Sequence, residues 1–292
     1  MEKFKINYEK NALEENYLKI KLDPKYVNLI KKVHATEKEV KTNLSSFEDS
    51  ILELENCKNC KCLSECKNKI KGYVYYPQKK ESTLYFGYAK CKKLKEYEQK
   101  EESLDENNEL KNARMKDIDV TDKNRIELIK YLKNFYDNYD KNESLKGIYL
   151  HGSFGCGKTF LIAALLNELK YKKHANYEII YYPILLRSLK DNLSLVEGKV
   201  NYYANVDILL IDDIGAENVT AWSRDEILGT ILQERMNKHK ITFFTSNLNI
   251  NELEKHLSIT KESTDVVKAR RIIERIKMLS IDIELISKNR RN

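Results

Sequence analysis

The sequence predicts an α/β domain built on a parallel sheet, preceded by a small α+β module that binds metal. Three observations predict it. Apolar runs alternate with helical runs from residue 147 to 286. A glycine-rich loop, Gly152 to Thr159, follows the first of those runs. Five of the six cysteines fall between residues 57 and 91, ahead of that alternation. Strands buried on both faces read as unbroken apolar runs, and helices between them cover a parallel sheet.

In order, residues 11–55 read as helical, with Pro24 near a helix start and Leu18, Leu22, Leu29 and Val33 among the apolar positions. YVYY and LYFGY then read as two strands of a ribbon whose rings supply its only core. Residues 96–120 are polar and charged, and read as a linker. Thr121 is placed to cap an amphipathic helix running to about Tyr139. GIYL, EIIYYP, VDILLID, ITFFTSN and SIDIELI follow as strands. TFLIAALLNELK, ILLRSLKDNL, SRDEILGTILQERMNKH and two helices over 250–279 stand between them. The domains expected are 1–100, a linker over 101–120, and 121–292.

Of 292 residues, 52 are Lys or Arg and 45 Asp or Glu, a formal net charge of +7. Its placement says more than its size. Residues 57–100 carry twelve Lys against four Glu, while the rest carries 40 positive and 41 negative side chains. Bulk charge therefore does not assign the second domain to nucleic acid. No run approaches the roughly 18–20 apolar residues that span a bilayer, and the N-terminus lacks the apolar stretch of a secretory signal. A cytoplasmic protein without membrane contact is expected.

The cysteines read Cys57-x-x-Cys60-x-Cys62-x-x-x-Cys66, then Cys91. In a reducing compartment such clustering favours metal over disulfides. Two thiols two residues apart form a knuckle, and zinc prefers four soft ligands in a tetrahedron. The ligand set is Cys57, Cys60, Cys66 and Cys91, with Cys62 able to replace Cys66. A closed four-thiolate site leaves no position for water, so the zinc would be structural. A redox CxxC would open a helix after a strand, whereas this one follows the helical stretch FEDSILELE. The interleaved lysines and rings of 73–88 also suit a nucleic-acid surface, though packing is the favoured use of the rings.

Gly152-Ser153-Phe154-Gly155-Cys156-Gly157-Lys158-Thr159 has the full G-x-x-x-x-G-K-T spacing between a strand and a helix. Glycines let backbone N–H groups wrap a phosphate at a helix N-terminus. Lys158 would neutralise the β- and γ-phosphates and Thr159 would hold Mg²⁺. Cys156 contributes its backbone. Ile208-Leu209-Leu210-Ile211-Asp212-Asp213 delivers two carboxylates to the sheet edge. Asp212 is assigned to Mg²⁺, and Asp213 to the attacking water. Asn247, closing the next strand, is placed to sense the γ-phosphate. Arg271 and Arg275 lie four apart on one helix face and are either an arginine finger for a neighbouring subunit or a solvated basic face.

YLHGSFGCGKTFLIAALLNELK, ILLIDDIGAENVTAWSRDEILGTILQERM, TFFTSNL and KARRIIERI together resemble the bacterial replicative-helicase loaders of the DnaI type, primosomal AAA+ ATPases related to DnaC and DnaA. The resemblance covers residues 120–292. Ahead of them it rests on the cysteine cluster leading into Lys71-Gly72-Tyr73. It implies an AAA+ P-loop domain in which Lys158 and Thr159 are Walker A, Asp212 and Asp213 Walker B, and Asn247 sensor 1. It implies Arg275 as the finger, with Arg271 next, and the terminal Arg290 in place of a second sensor. It implies ATP hydrolysis, Mg²⁺, a zinc-bearing N-terminal domain that holds the hexameric helicase, contact with single-stranded DNA, and self-association. Arg187 and Lys190 lie where these proteins face DNA. Two features depart from the pattern. GYVYYP stands where a zinc-ligating His follows the G-Y, and the glycine before the terminal N-R-R is missing. The alternatives are a transposition-regulator ATPase, against which the cysteine module argues, and a nucleotide-gated helicase adaptor that does not hydrolyse.

Overall fold

The computed structural model describes residues 14, 17–80, 83–96, 108–140, 145–191, 193–260 and 264–290. It divides into two compact units, Met1–Leu104 and Asp105–Asn292.

In the first unit, helical residues 17–22 precede α1 (Pro24–Lys32), α2 (Glu37–Thr42) and α3 (Leu44–Lys58). Asp23 caps α1 by accepting from the Lys25 N–H, and proline fits its first turn because that N–H has no helical partner. Thr36 and Glu39 close a capping box on α2. β1 (Tyr73–Lys80) and β2 (Thr83–Lys90) pair antiparallel. The rings of this ribbon do not make a core alone. Phe86 meets Phe47 of α3 edge-on at 5.1 Å, and Tyr76, Leu84 and Phe86 pack on Leu29, Val40, Phe47 and Ile51 of the helices. Glu53 of α3 ties the layers, accepting from the Lys69 N–H at 3.2 Å and the Tyr75 N–H at 2.5 Å. Burial raises its carboxyl above the ordinary range even against those two bonds.

Of the stretch expected as a linker, residues 97–107 lie outside the described residues. The remainder holds α4 (Asn108–Asn112) and a tight turn at Met115–Asp117. Ala113 and Ile118 are buried in the core of the second unit, and the Asn167 amide donates to the Leu110 and Ala113 carbonyls at 2.8 and 3.0 Å. Leu110, Ala113, Met115 and Ile118 fall among charges at uneven steps, which gives no clear periodicity to read. Asp122, not Thr121, caps the next segment, a 3₁₀ turn at Lys123–Arg125 running into α5 (Ile126–Asn138). The Thr121 hydroxyl instead donates to Asp119 at 2.6 Å.

The second unit carries a five-stranded sheet of order β4-β5-β6-β3-β7, every pair parallel. Its strands are β3 (Gly147–Gly152), β4 (Tyr177–Tyr181), β5 (Ile208–Asp212), β6 (Ile241–Ser246) and β7 (Ser280–Leu285). Between β3 and β4 runs α6 (Lys158–Lys173), with nearly its whole first half buried. α7 (Tyr182–Asp191) follows β4 directly, and α8 (Val196–Asn205) leads to β5. α8 is not among the expected elements: VEGKVNYYAN carries an interior glycine, and its apolar row is no longer than Val196, Val200 and Tyr203. A seven-residue π-helical segment, Trp222–Leu228, precedes α9 (Gly229–Asn237). α10 (Ile250–Ser258) and α11 (Val266–Leu279) complete the unit. One core lies on each sheet face, as a two-sided parallel sheet requires. Arg235 of α9 is fully buried and donates to the Tyr203, Val206 and Ile241 carbonyls at 2.7, 2.8 and 2.6 Å and to the Thr242 hydroxyl at 2.8 Å, locking α8, β5 and β6 together.

Candidate nucleotide site

β3 is buried along its length and ends at the glycine loop. Gly152 has φ +133°, and a Cβ there would lie 2.1 Å from the Leu285 carbonyl, so only glycine lets β7 pass this close. Gly157, at φ +85°, turns the chain into α6, which starts at Lys158. Successive left-handed turns point backbone N–H groups inward, the geometry of an anion cradle.

Three strand ends converge on this loop. Lys158 Nζ donates to the Gly152 and Ser153 carbonyls at 3.0 and 2.9 Å, and to Asn247 Oδ1 at 2.8 Å. Asp212 Oδ1 accepts from the Thr159 hydroxyl at 2.6 Å and the Thr245 hydroxyl at 2.5 Å. Burial lifts the Asp212 carboxyl above the usual range, and the two hydroxyls offset this only in part. Asp213 sits at φ +56°, a left-handed conformation unusual for a non-glycine residue. Its N–H donates to Thr245 Oγ1 at 2.9 Å. Asn247 Nδ2 reaches its Oδ1 at 3.0 Å, and the Tyr181 hydroxyl reaches its Oδ2 at 3.2 Å. The loop behind it is held by Glu217, which accepts from the Gly215 N–H at 2.7 Å.

The structure thus brings together Lys158, Thr159, Asp212, Asp213 and Asn247. It adds Thr245, Tyr181 and Arg125, which no motif flagged. Arg125 is buried, and its guanidinium donates to the Cys156 carbonyl beneath the loop. Cys156 is itself buried, its Sγ 3.7 Å from the Leu285 carbonyl. Arg290 lies against the loop through its backbone, donating to the Gly155 carbonyl at 2.8 Å. Its guanidinium reaches Asp119 at 2.7 Å and Asp122 at 3.4 Å instead of the Walker carboxylates. Arg271 is exposed and Arg275 half-buried on α11, where Arg275 Nη1 donates to the Gly229 carbonyl at 2.9 Å. With Arg270, Met236 and Val267 they line an open hollow of about 400 Å³.

In the first unit, Cys57 ends α3 and Cys60 follows in the turn, its N–H donating to the Cys57 carbonyl at 3.3 Å. Asn68 donates to Cys57 Sγ and the Leu94 N–H to Cys91 Sγ, both at 3.4 Å. The Cys57 thiol is pushed up to about 11, chiefly by burial and further by Cys91, Cys66 and Cys60. Burial raises the Cys60 thiol too, as do Cys66, Cys91 and Cys62, so the fifth thiol is not set apart from the other four. Cys62 is exposed, its sulfur 3.0 Å from the Ser64 hydroxyl. Among the described residues, no three His, Cys, Asp or Glu side chains are drawn in to metal-holding distance.

A parallel sheet in this order, with β6 and Asn247 at its end set between the glycine loop of β3 and the two carboxylates of β5, defines a nucleotide-binding P-loop unit of the AAA+ class. Residues 136–266 match the bacterial DnaA ATPase domain. Over 265 residues, 88% of this chain and 85% of the relative, the sequence is 34% identical to the replicative helicase loader DnaI of Bacillus subtilis. The chain belongs to that DnaI family. A crystal structure of DnaI superposes with a TM-score of 0.56 at 43% identity, covering 63% of this chain and 93% of the other. That of a candidate primosome component from Streptococcus pyogenes gives 0.51 at 32% identity, covering 61% and 88%.

Proposed function

We propose that this protein is an ATP-dependent loader that places a hexameric replicative helicase on single-stranded DNA. The observation that carries the reading is the joined constellation of Lys158, Asn247, Asp213, Asp212 and Thr159, in a chain similar to a helicase loader over most of its length. Lys158 now bonds loop carbonyls, and an incoming γ-phosphate would take over its ammonium. Asn247 touches both Lys158 and Asp213, so a change at the phosphate is felt at the carboxylate that would orient and deprotonate water. Thr159 and Asp212 would hold Mg²⁺, which supplies charge neutralisation at the β- and γ-phosphates. Arg275, which bonds the Gly229 carbonyl, or the exposed Arg271 would complete a neighbouring protomer's site, with ATP at the subunit interface. Hydrolysis would then dissolve that assembly, a switch that needs little turnover.

The first unit, about residues 1–100, would dock the helicase. Cys57, Cys60, Cys66 and Cys91 would hold zinc there. Soft donors at knuckle spacing and N–H groups aimed at the Cys57 and Cys91 sulfurs support that set, with Cys62, its sulfur on the Ser64 hydroxyl, able to replace Cys66. Arg187 and Lys190, both exposed on α7, would meet DNA phosphates. The chain is expected to retain the host's replicative helicase on an affinity column, more so with ATP. No retention of purified helicase under either condition would refute the reading.

A further inference from the structure

The chain after β7 runs back along the glycine loop and touches it twice. The Leu285 carbonyl accepts from the Ser153 N–H at 3.2 Å, and the Arg290 N–H donates to the Gly155 carbonyl at 2.8 Å. Between those contacts Asn289 fills the space beside Gly155, where a Cβ would lie 2.1 Å from its Oδ1. Gly155 is at φ +67°, so both its backbone and this close approach require glycine. The strap, residues 286–290, is pinned by the stretch ahead of α5. Asp122 accepts from the Ser287 hydroxyl at 2.6 Å, and the Arg290 guanidinium reaches Asp119 at 2.7 Å and Asp122 at 3.4 Å. Arg125, three residues further on, donates to the next loop carbonyl, that of Cys156. Two successive carbonyls of the loop are thus taken up by groups outside it. In a trans peptide the C=O and the following N–H point opposite ways. These bonds therefore turn the Cys156 and Gly157 N–H groups to the other side, and N–H groups aimed to one side make an anion cradle.

We propose that Arg290 is a positioning residue that pins the strap to Asp119 and Asp122, fixes the Gly155 peptide plane, and so slows the departure of bound nucleotide. This rests on the reading of the loop as a nucleotide site. Arg290 acts from outside the loop, through its backbone, and not on a phosphate. The hold is also one that can be let go. The Arg290 and Asp119 side chains are 24% and 30% exposed, within reach of water and salt. Neither Arg125 Nε nor Arg290 Nε, both buried, finds a hydrogen-bond partner among the described residues. A buried donor without an acceptor costs free energy, so the two carboxylates hold the strap against an opposing term. Opening the pair frees the Gly155 carbonyl, loosens the cradle and lets nucleotide exchange.

The test follows the dissociation of a fluorescent ATP analogue, mant-ATP with Mg²⁺, from the full chain on chasing with ATP. Wild type is compared with Arg290→Ala, Arg290→Lys and Asp119→Asn. Losing a half-exposed ion pair corresponds to about two- to fivefold in a rate constant. Arg290→Ala is expected to release mant-ATP faster by that factor, and Asp119→Asn, which breaks the pair from the other side, to match it. Arg290→Lys keeps the charge and is expected to restore most of the wild-type rate. High salt should quicken release from wild type more than from Arg290→Ala, because only wild type has the pair to screen. Release from Arg290→Ala and Asp119→Asn at the wild-type rate overturns the proposal. Arg290→Lys as fast as Arg290→Ala overturns it as well. A wild type that binds no mant-ATP removes the nucleotide-site reading itself, a separate outcome.

Discussion

Asp212 carries an energetic cost that its function requires. It is mostly buried, and burial raises its carboxyl despite two hydroxyl donors. A folded-state pKa above the unfolded one means that ionisation opposes folding. The favourable part is complete below the unfolded pKa and is lost as pH rises through the folded value. At neutral pH Asp212 therefore holds a charge that the Thr159 and Thr245 hydroxyls and Lys158 offset only in part. Asp212→Asn is expected to raise the melting temperature of the nucleotide-free protein at pH 7, by roughly 2–4 °C per kcal/mol recovered. The gain should shrink as pH falls toward the carboxylate range, and the added stability from Mg-ATP should disappear. A nucleotide-free variant less stable than wild type at pH 7 would contradict this. Lys158, Thr159, Asp212, Asp213 and Asn247 were legible because each stands at a fixed place in a local motif. Tyr181, Arg125 and the Arg290–Asp119 pair were not. Their roles arise from residues 32, 31 and 171 positions apart along the chain, brought together only by the sheet and the tail.

At the level of elements, the five strands could be read because each is a short apolar run bounded by helices. α8 offers only a short apolar row, and the 108–118 segment hid two core residues among charges. The ribbon shows a correct element with more partners than expected. Its rings do pack on each other, Tyr75 lying 5.5 Å from Phe86 and 5.3 Å from Tyr88, but they are not its only core, because Phe86 also meets Phe47 of α3. Near the end of α3, Asn68 bridges the Cys57 sulfur and the Tyr73 carbonyl of β1, and Tyr73 pairs with Lys90, the residue before Cys91. Zinc would then fasten α3 to the ribbon at the edge away from Glu39 and Lys79, which pair at 3.1 Å. The purified chain is expected to hold about one zinc, and a strong chelator with reductant should melt the first unit while ATP binding persists. The five thiols of residues 57–91 titrating freely in a metal-free protein whose first unit stays folded would contradict this.

Across the whole molecule, charge and chemistry are divided between the two units. The basic excess lies in residues 57–100, while the P-loop and its carboxylates lie in a unit with no such excess. The DNA contact proposed for the second unit therefore rests on placement, as with Arg187 and Lys190 on α7, and would be largely sequence-blind. The lysines of the first unit, several of them in ion pairs, would serve a protein surface instead. No helix among the described residues is long and apolar enough to cross a membrane. If the nucleotide site drives helicase loading, strand displacement reports it. The host's hexameric replicative helicase is given a circular single-stranded template bearing an annealed strand, with ATP and either this protein or its Asp213→Asn variant. Wild type is expected to start unwinding and the variant to bind helicase yet fail. Equal unwinding with the variant, its hydrolysis abolished, would contradict the account and leave a nucleotide-gated clip.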